Sequence, residues 1–123
     1  MTEGFNQGGK EVVFKDKAAV ETQLRALYNE LKDQEWYIDK ILLTDSHSDN
    51  AYAGAFNAEV LPFEDNSIDG TNTVLTRDWN RYLKQVGMAN KLIIYADSVG
   101  DKSLTDTEIK EYQAQGMIFR SLI

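Results

Sequence analysis

Two stretches of the chain carry the residue types that chemistry uses, and they look alike. Lys40-Ile-Leu-Leu-Thr-Asp45-Ser-His47-Ser-Asp49 matches Lys91-Leu-Ile-Ile-Tyr-Ala-Asp97-Ser-Val-Gly-Asp101, the second with one extra residue. Each is an apolar run that ends in D-S-x-x-D. If the two runs are neighbouring parallel strands, Asp45, His47, Asp49, Asp97 and Asp101 converge at their carboxyl ends, where ligands collect in open α/β sheets. Carboxylate oxygens suit a hard cation such as Mg²⁺ or Mn²⁺, and His47 favours the transition metal. Without a cation, the four carboxylates repel one another. The plainer reading of these residues is that Asp and Ser shape turns through bonds to their own backbone. On that reading no cofactor is expected.

Other reaction chemistries lack their residues. The chain has no Cys, so thiolate nucleophiles, disulfides and Cys-ligated metals are excluded. A single His excludes multi-His metal cages. There is no G-x-S-x-G elbow, no Walker A and no G-x-G-x-x-G. Gly8-Gly9-Lys10 is too short to cradle a phosphate. A Ser-His-Asp triad has only His47 to build on, and Asp45 and Asp49 lie too near it in sequence. The reading is therefore non-enzymatic, with a metal-dependent hydrolase or metal-binding domain as the alternative.

The stretch Ile41-Leu-Leu-Thr-Asp45-Ser-His47 resembles the first motif of the calcineurin-like metallophosphoesterases, a strand followed by D-x-H. That family implies further His, Asn and Asp ligands in later motifs. This chain has no second His, so a functional member of that family is excluded.

The elements that would position these residues follow from periodicity. Asp16 is a helix N-cap, and Val20, Leu24, Leu27, Tyr28 and Leu31 form an apolar stripe, predicting a helix over 17–33. Residues 11–14, 36–43, 51–60, 71–75, 91–96 and 117–122 read as strands, with Asp69-Gly70 as a hairpin turn. A short helix runs from Thr76 or Asp78 through Met88. Thr105 and Glu108 form a capping box for a last helix that Gly116 ends in a left-handed stop. The expected fold class is α/β (or α+β): a mixed sheet of about five strands flanked by about three helices. Strands 36–43 and 91–96 are expected to be central and parallel. Residues 1–9 read as a flexible lead, and 10–123 as a single domain.

Composition limits the partners. The chain has 123 residues, with 13 basic and 20 acidic side chains, a formal −7. That balance argues against direct binding to a nucleic-acid backbone. No apolar run is long enough to cross a membrane. A cytoplasmic protein or a virion component is the expectation, compatible with a phage or mobile-element origin. The aromatics Trp36, Tyr37, Trp79, Tyr82 and Phe119 read as interface anchors, because Trp and Tyr join a large apolar body to a polar tip. The preferred function is a protein-interaction or assembly module, engaging a protein partner or forming a homo-oligomer. A further alternative is an acidic mimic of nucleic acid, drawing on Glu64, Asp65 and Asp69.

Overall fold

The computed structural model describes residues 12–54 and 58–123. The expected flexible lead at 1–9 and the middle of the expected strand 51–60 lie outside the described residues. The described chain is helical: α1 (Lys17–Glu30), a π-helical turn (Glu35–Asp39) that runs into α2 (Lys40–His47), α3 (Leu61–Glu64), α4 (Thr73–Tyr95), a 3-10 turn (Ala96–Ser98) and α5 (Asp106–Leu122). There is no strand among the described residues, so the expected α/β sheet is replaced by an all-helical fold.

The reason lies in two apolar runs that are ambiguous by length. A run of four apolar residues fits a buried strand or one side of a buried helix equally well. At 91–96 the wider spacing decides. Val74, Asp78, Gln85, Ala89, Leu92 and Ala96 are all buried, at intervals of three, four and seven. That is a helical stripe, and it makes the expected hairpin return, short helix and strand one continuous α4. Asn72 starts that helix by accepting the Leu75 N–H at 3.1 Å. The expected strand 36–43 is likewise helical. The Lys40 N–H reaches back to the Glu35 carbonyl, an i→i−5 bond that defines the π turn.

The C-terminal strand expected at 117–122 is the end of α5. Gly116 does not stop that helix. It is buried in it, with a Cβ position 3.1 Å from the Ala89 carbonyl oxygen and 3.3 Å from the Leu92 Cβ. Its role is to let α5 approach α4. The capping box at Thr105 and Glu108 is present with both of its reciprocal bonds.

The chain divides into two compact units, with the boundaries falling inside α1 and α4. One comprises described residues to Leu27 together with Val86–Ile123. Its core is apolar: Phe14, Val20, Leu27, Leu92, Tyr112 and Phe119 are buried. Backbone bonds from Gly100 to Phe14 and from Asp101 to Lys15 close its ends. The other unit is Tyr28–Gln85, and its interior has a different character. Val60, Phe63 and Val74 are buried there, but so are Glu35, Asp39, Ser46, Asp78 and Gln85.

Candidate functional site

Burying charge is costly unless each charge finds a partner. The Tyr28–Gln85 unit meets that demand with a network between the π turn and α4. The π turn places Glu35 and Asp39 inward, while Tyr37 and Ile38 are exposed. Glu35 has no solvent exposure. Its Oε2 accepts Arg81 Nη1 at 2.6 Å and its Oε1 accepts Gln85 Nε2 at 3.0 Å. Its backbone carbonyl accepts the Tyr82 hydroxyl at 3.1 Å. Trp36 donates its indole N–H to Gln85 Oε1 at 2.9 Å and meets Tyr82 edge-on, with ring centroids 5.5 Å apart.

Asp39 accepts Gln34 Nε2 at 3.0 Å on one oxygen and Arg77 on the other. Arg77 also donates through Nε to Asp78 at 3.2 Å. Two buried carboxyls thus share one guanidinium. Burial, followed by the neighbouring charge of Asp39, pushes the Asp78 carboxyl above its ordinary range, against the pull of Arg77. Burial and then the charges of Asp78, Glu35 and Asp39 push the Tyr82 hydroxyl up as well.

Beside this network lies a hollow of about 250 Å³, lined by Leu43, Leu75, Trp79, Tyr82, Asp39, Asp78, Lys40 and Thr44. Lys40 holds its ammonium over the Trp36 ring, 4.8 Å from the centroid. On α4, Leu75, Trp79 and Leu83 recur every fourth residue, so they share one side of the helix. All three are exposed, Trp79 to 65%.

The five candidate metal ligands are distributed over both units. Asp45 and His47 lie in α2, and Asp49 follows it with a positive φ of 64°. The His47 ring nitrogen Nδ1 lies 3.0 Å from the Phe63 carbonyl. Asp97 sits in the 3-10 turn, accepting the Ser98 hydroxyl, and Asp101 accepts the Ser103 N–H. Hydrogen bonding from the Ser103 side chain first, with its N–H adding to it, holds the Asp101 carboxyl below its ordinary range. These positions end or follow helical segments, so the parallel strand rim that would have gathered them is not there. Among the described residues, three acidic side chains do gather: Glu30, Asp33 and Glu35 place ligand atoms within 4.8 Å of one another. Lys84 on Glu30, at 2.7 Å, and Arg81 on Glu35 already offset that charge.

Of the five expected interface aromatics, Tyr37 and Trp79 are exposed and Trp36 and Tyr82 are half-buried. Phe119 is in the core of the other unit. Glu35, Asp39, Arg77, Asp78, Arg81 and Gln85 are not among the sequence candidates. The signal that could have found them is the α4 stripe, where Asp78 and Gln85 occupy core positions.

Compared with protein-family models, with curated proteins and with solved structures, the chain matches none. Among the described residues, no helix is long and apolar enough to cross a membrane.

Proposed function

We propose that the protein is a non-enzymatic interaction module whose Tyr28–Gln85 unit docks a basic surface of another protein through the Leu75–Trp79–Leu83 side of α4. The observation that carries this reading is where the charge lies. Residues 28–85 hold eleven acidic and five basic side chains, a formal −6 of the chain's −7. An exposed indole between two exposed leucines, in a strongly acidic unit, has the make-up of an interface centre with a charged rim. A second copy is a poor occupant, since docking would bring two such acidic units together. The buried carboxylates hold bonds to Arg77, Arg81, Gln34 and Gln85, which favours a structural and positioning role over acid–base work.

The charge distribution also favours the mimic of nucleic acid as a second reading. In that case the partner's basic surface is one that itself binds nucleic acid, and DNA competes for it.

The full chain serves as bait for its host's proteins, beside Leu75→Ser/Trp79→Ser/Leu83→Ser with its helicity checked by circular dichroism. The expected result is an identified basic partner, lost with the triple variant and weakened by salt. A partner retained by the triple variant, or one indifferent to salt, overturns the reading. Displacement by duplex DNA selects the mimic.

A further inference from the structure

We infer that the hollow beside Trp79 receives one arginine side chain of the basic partner, its methylene stem against Leu43 and Leu75 and its guanidinium between the Trp79 ring and the Asp39–Asp78 pair. This rests on the interaction reading above and assigns it a specific contact. Size is the first argument. At about 250 Å³ the hollow is smaller than small-molecule clefts, which run to roughly 300–1,000 Å³, and suits a single side chain.

The wall chemistry is the second argument. Leu43, Leu75, Trp79 and Tyr82 offer apolar and aromatic surface, which matches an alkyl stem. Asp39 and Asp78 line the same hollow. A ligand with an apolar stem and a cationic head satisfies both parts, whereas a purely apolar one leaves the carboxyls unused.

Charge is the third argument. Asp39 and Asp78 share Arg77, so among the described residues two carboxyls pair with one guanidinium. Glu35 is already matched by Arg81, and Lys40 is engaged over Trp36. Burial first, and the charge of Asp39 second, raise the proton affinity of Asp78, and a guanidinium seated in the hollow would compete with that proton. Arginine is favoured over lysine because its planar guanidinium stacks on an indole while still donating to carboxylates.

The test is a ¹H–¹⁵N NMR titration of the full chain at low salt with N-acetyl-arginine amide, with N-acetyl-norleucine amide as the neutral control. The arginine probe should shift the Trp79 indole N–H and the amides of 39–44 and 75–79, and should saturate. The norleucine probe should bind at least about fivefold more weakly, as loss of one charge contact implies, and Asp78→Asn should weaken the arginine probe by a similar factor. Asp78→Asn keeps the shape of the hollow, and its own spectrum shows whether the fold is intact. No saturable shift, equal binding of norleucine, or an unchanged affinity in Asp78→Asn overturns the inference. Those outcomes leave the partner capture standing, which the triple variant and the salt dependence decide separately.

Discussion

The Glu35 carboxylate, fully buried in the π turn, accepts the Arg81 guanidinium of α4 at 2.6 Å. Arg81 keeps its outer part in water, with about a third of its side chain exposed (37%), while Glu35 has no water to fall back on. Removing Arg81 therefore leaves a buried charge with Gln85 as its side-chain partner among the described residues. Arg81→Met should cost about 3 kcal/mol, the lower end for breaking a buried pair. The double variant Glu35→Gln/Arg81→Met should recover much of that loss, since the buried charge goes with its partner. Urea denaturation of the four proteins of this cycle measures both values. A cost below about 1 kcal/mol for Arg81→Met would mean that the pair is as weak as an exposed one.

Asp78 gives a pH dependence with a definite sign. Its carboxyl is raised in the folded state, by burial first and by Asp39 second. The folded state therefore holds the proton more tightly than the unfolded one. Stability from this group is fully present below the ordinary carboxyl value of 3.8 and is lost as pH rises through the raised folded value. Asp78→Asn should remove that loss. The variant is expected to be more stable than the wild type near neutral pH, with the difference shrinking as pH falls towards 4. Parallel denaturation curves at every pH would contradict the assignment.

At the other end of the chain the sign reverses. The Lys17 ammonium 2.5 Å from Glu108, together with the Thr105 cap bonds, holds the Glu108 carboxyl down at about 2. The stability it contributes is present above the ordinary value of 4.5 and disappears as pH falls towards 2. Glu108→Gln should flatten that acid limb. Thr105→Ala removes the other half of the capping box and should cost about 1 kcal/mol at neutral pH. Acid titrations followed by circular dichroism test the first, and thermal melts test the second.

Ser46 carries the opposite expectation to a cap. Its hydroxyl is fully buried and finds no hydrogen-bond partner among the described residues. An unsatisfied buried hydroxyl costs about 1–3 kcal/mol, so Ser46→Ala should leave the protein as stable or more so. A clear loss in chemical denaturation would show that the hydroxyl is bonded in solution.

What is legible in the sequence is local. Asp16 caps α1 by accepting the Ala19 N–H, and Thr105 with Glu108 opens α5, because side-chain capping is written in neighbouring residues. The expected first helix runs to residue 33, but α1 ends at Glu30. The expected sheet fails where apolar runs are short and their wider spacing carries the answer. Ile41-Leu42-Leu43 and Leu92-Ile93-Ile94-Tyr95 look like strands when taken alone. Leu92 becomes helical once it is counted from Ala89 to Ala96. The polar network is invisible for a related reason. Asp78 and Gln85 look like surface residues until α4 is read as one helix, and Glu35 and Asp39, four residues apart on one side of their helical turn, show no partner until α4 is placed against them. The chemistry-bearing D-S-x-x-D segments stand out through composition. The acidic residues that are buried together are spread from 35 to 78, a separation that no short motif spans.

Two glycines discriminate between the strand reading and the helical one. The strand reading puts Gly87 near the end of a short helix, yet it lies inside α4, exposed, and a methyl group added to it would meet nothing within 4 Å among the described residues. In a helix interior an exposed glycine costs up to about 1 kcal/mol relative to alanine, so Gly87→Ala should stabilise by roughly that amount. The same reading puts Gly116 in a left-handed stop, yet it lies buried inside α5, where a methyl would sit 3.0 Å from the Ile93 Cγ1 and 3.1 Å from the Ala89 carbonyl. The Ile93 side chain can turn aside, but the carbonyl is fixed in α4. Gly116→Ala therefore gains helix propensity and loses packing, and overpacking costs about 1–3 kcal/mol, which outweighs the gain. The two substitutions are chemically identical and should shift the melting temperature in opposite directions. If Gly87→Ala destabilised the protein, α4 would not be continuous through 87. If Gly116→Ala stabilised it, α5 would not lie against α4 at that turn.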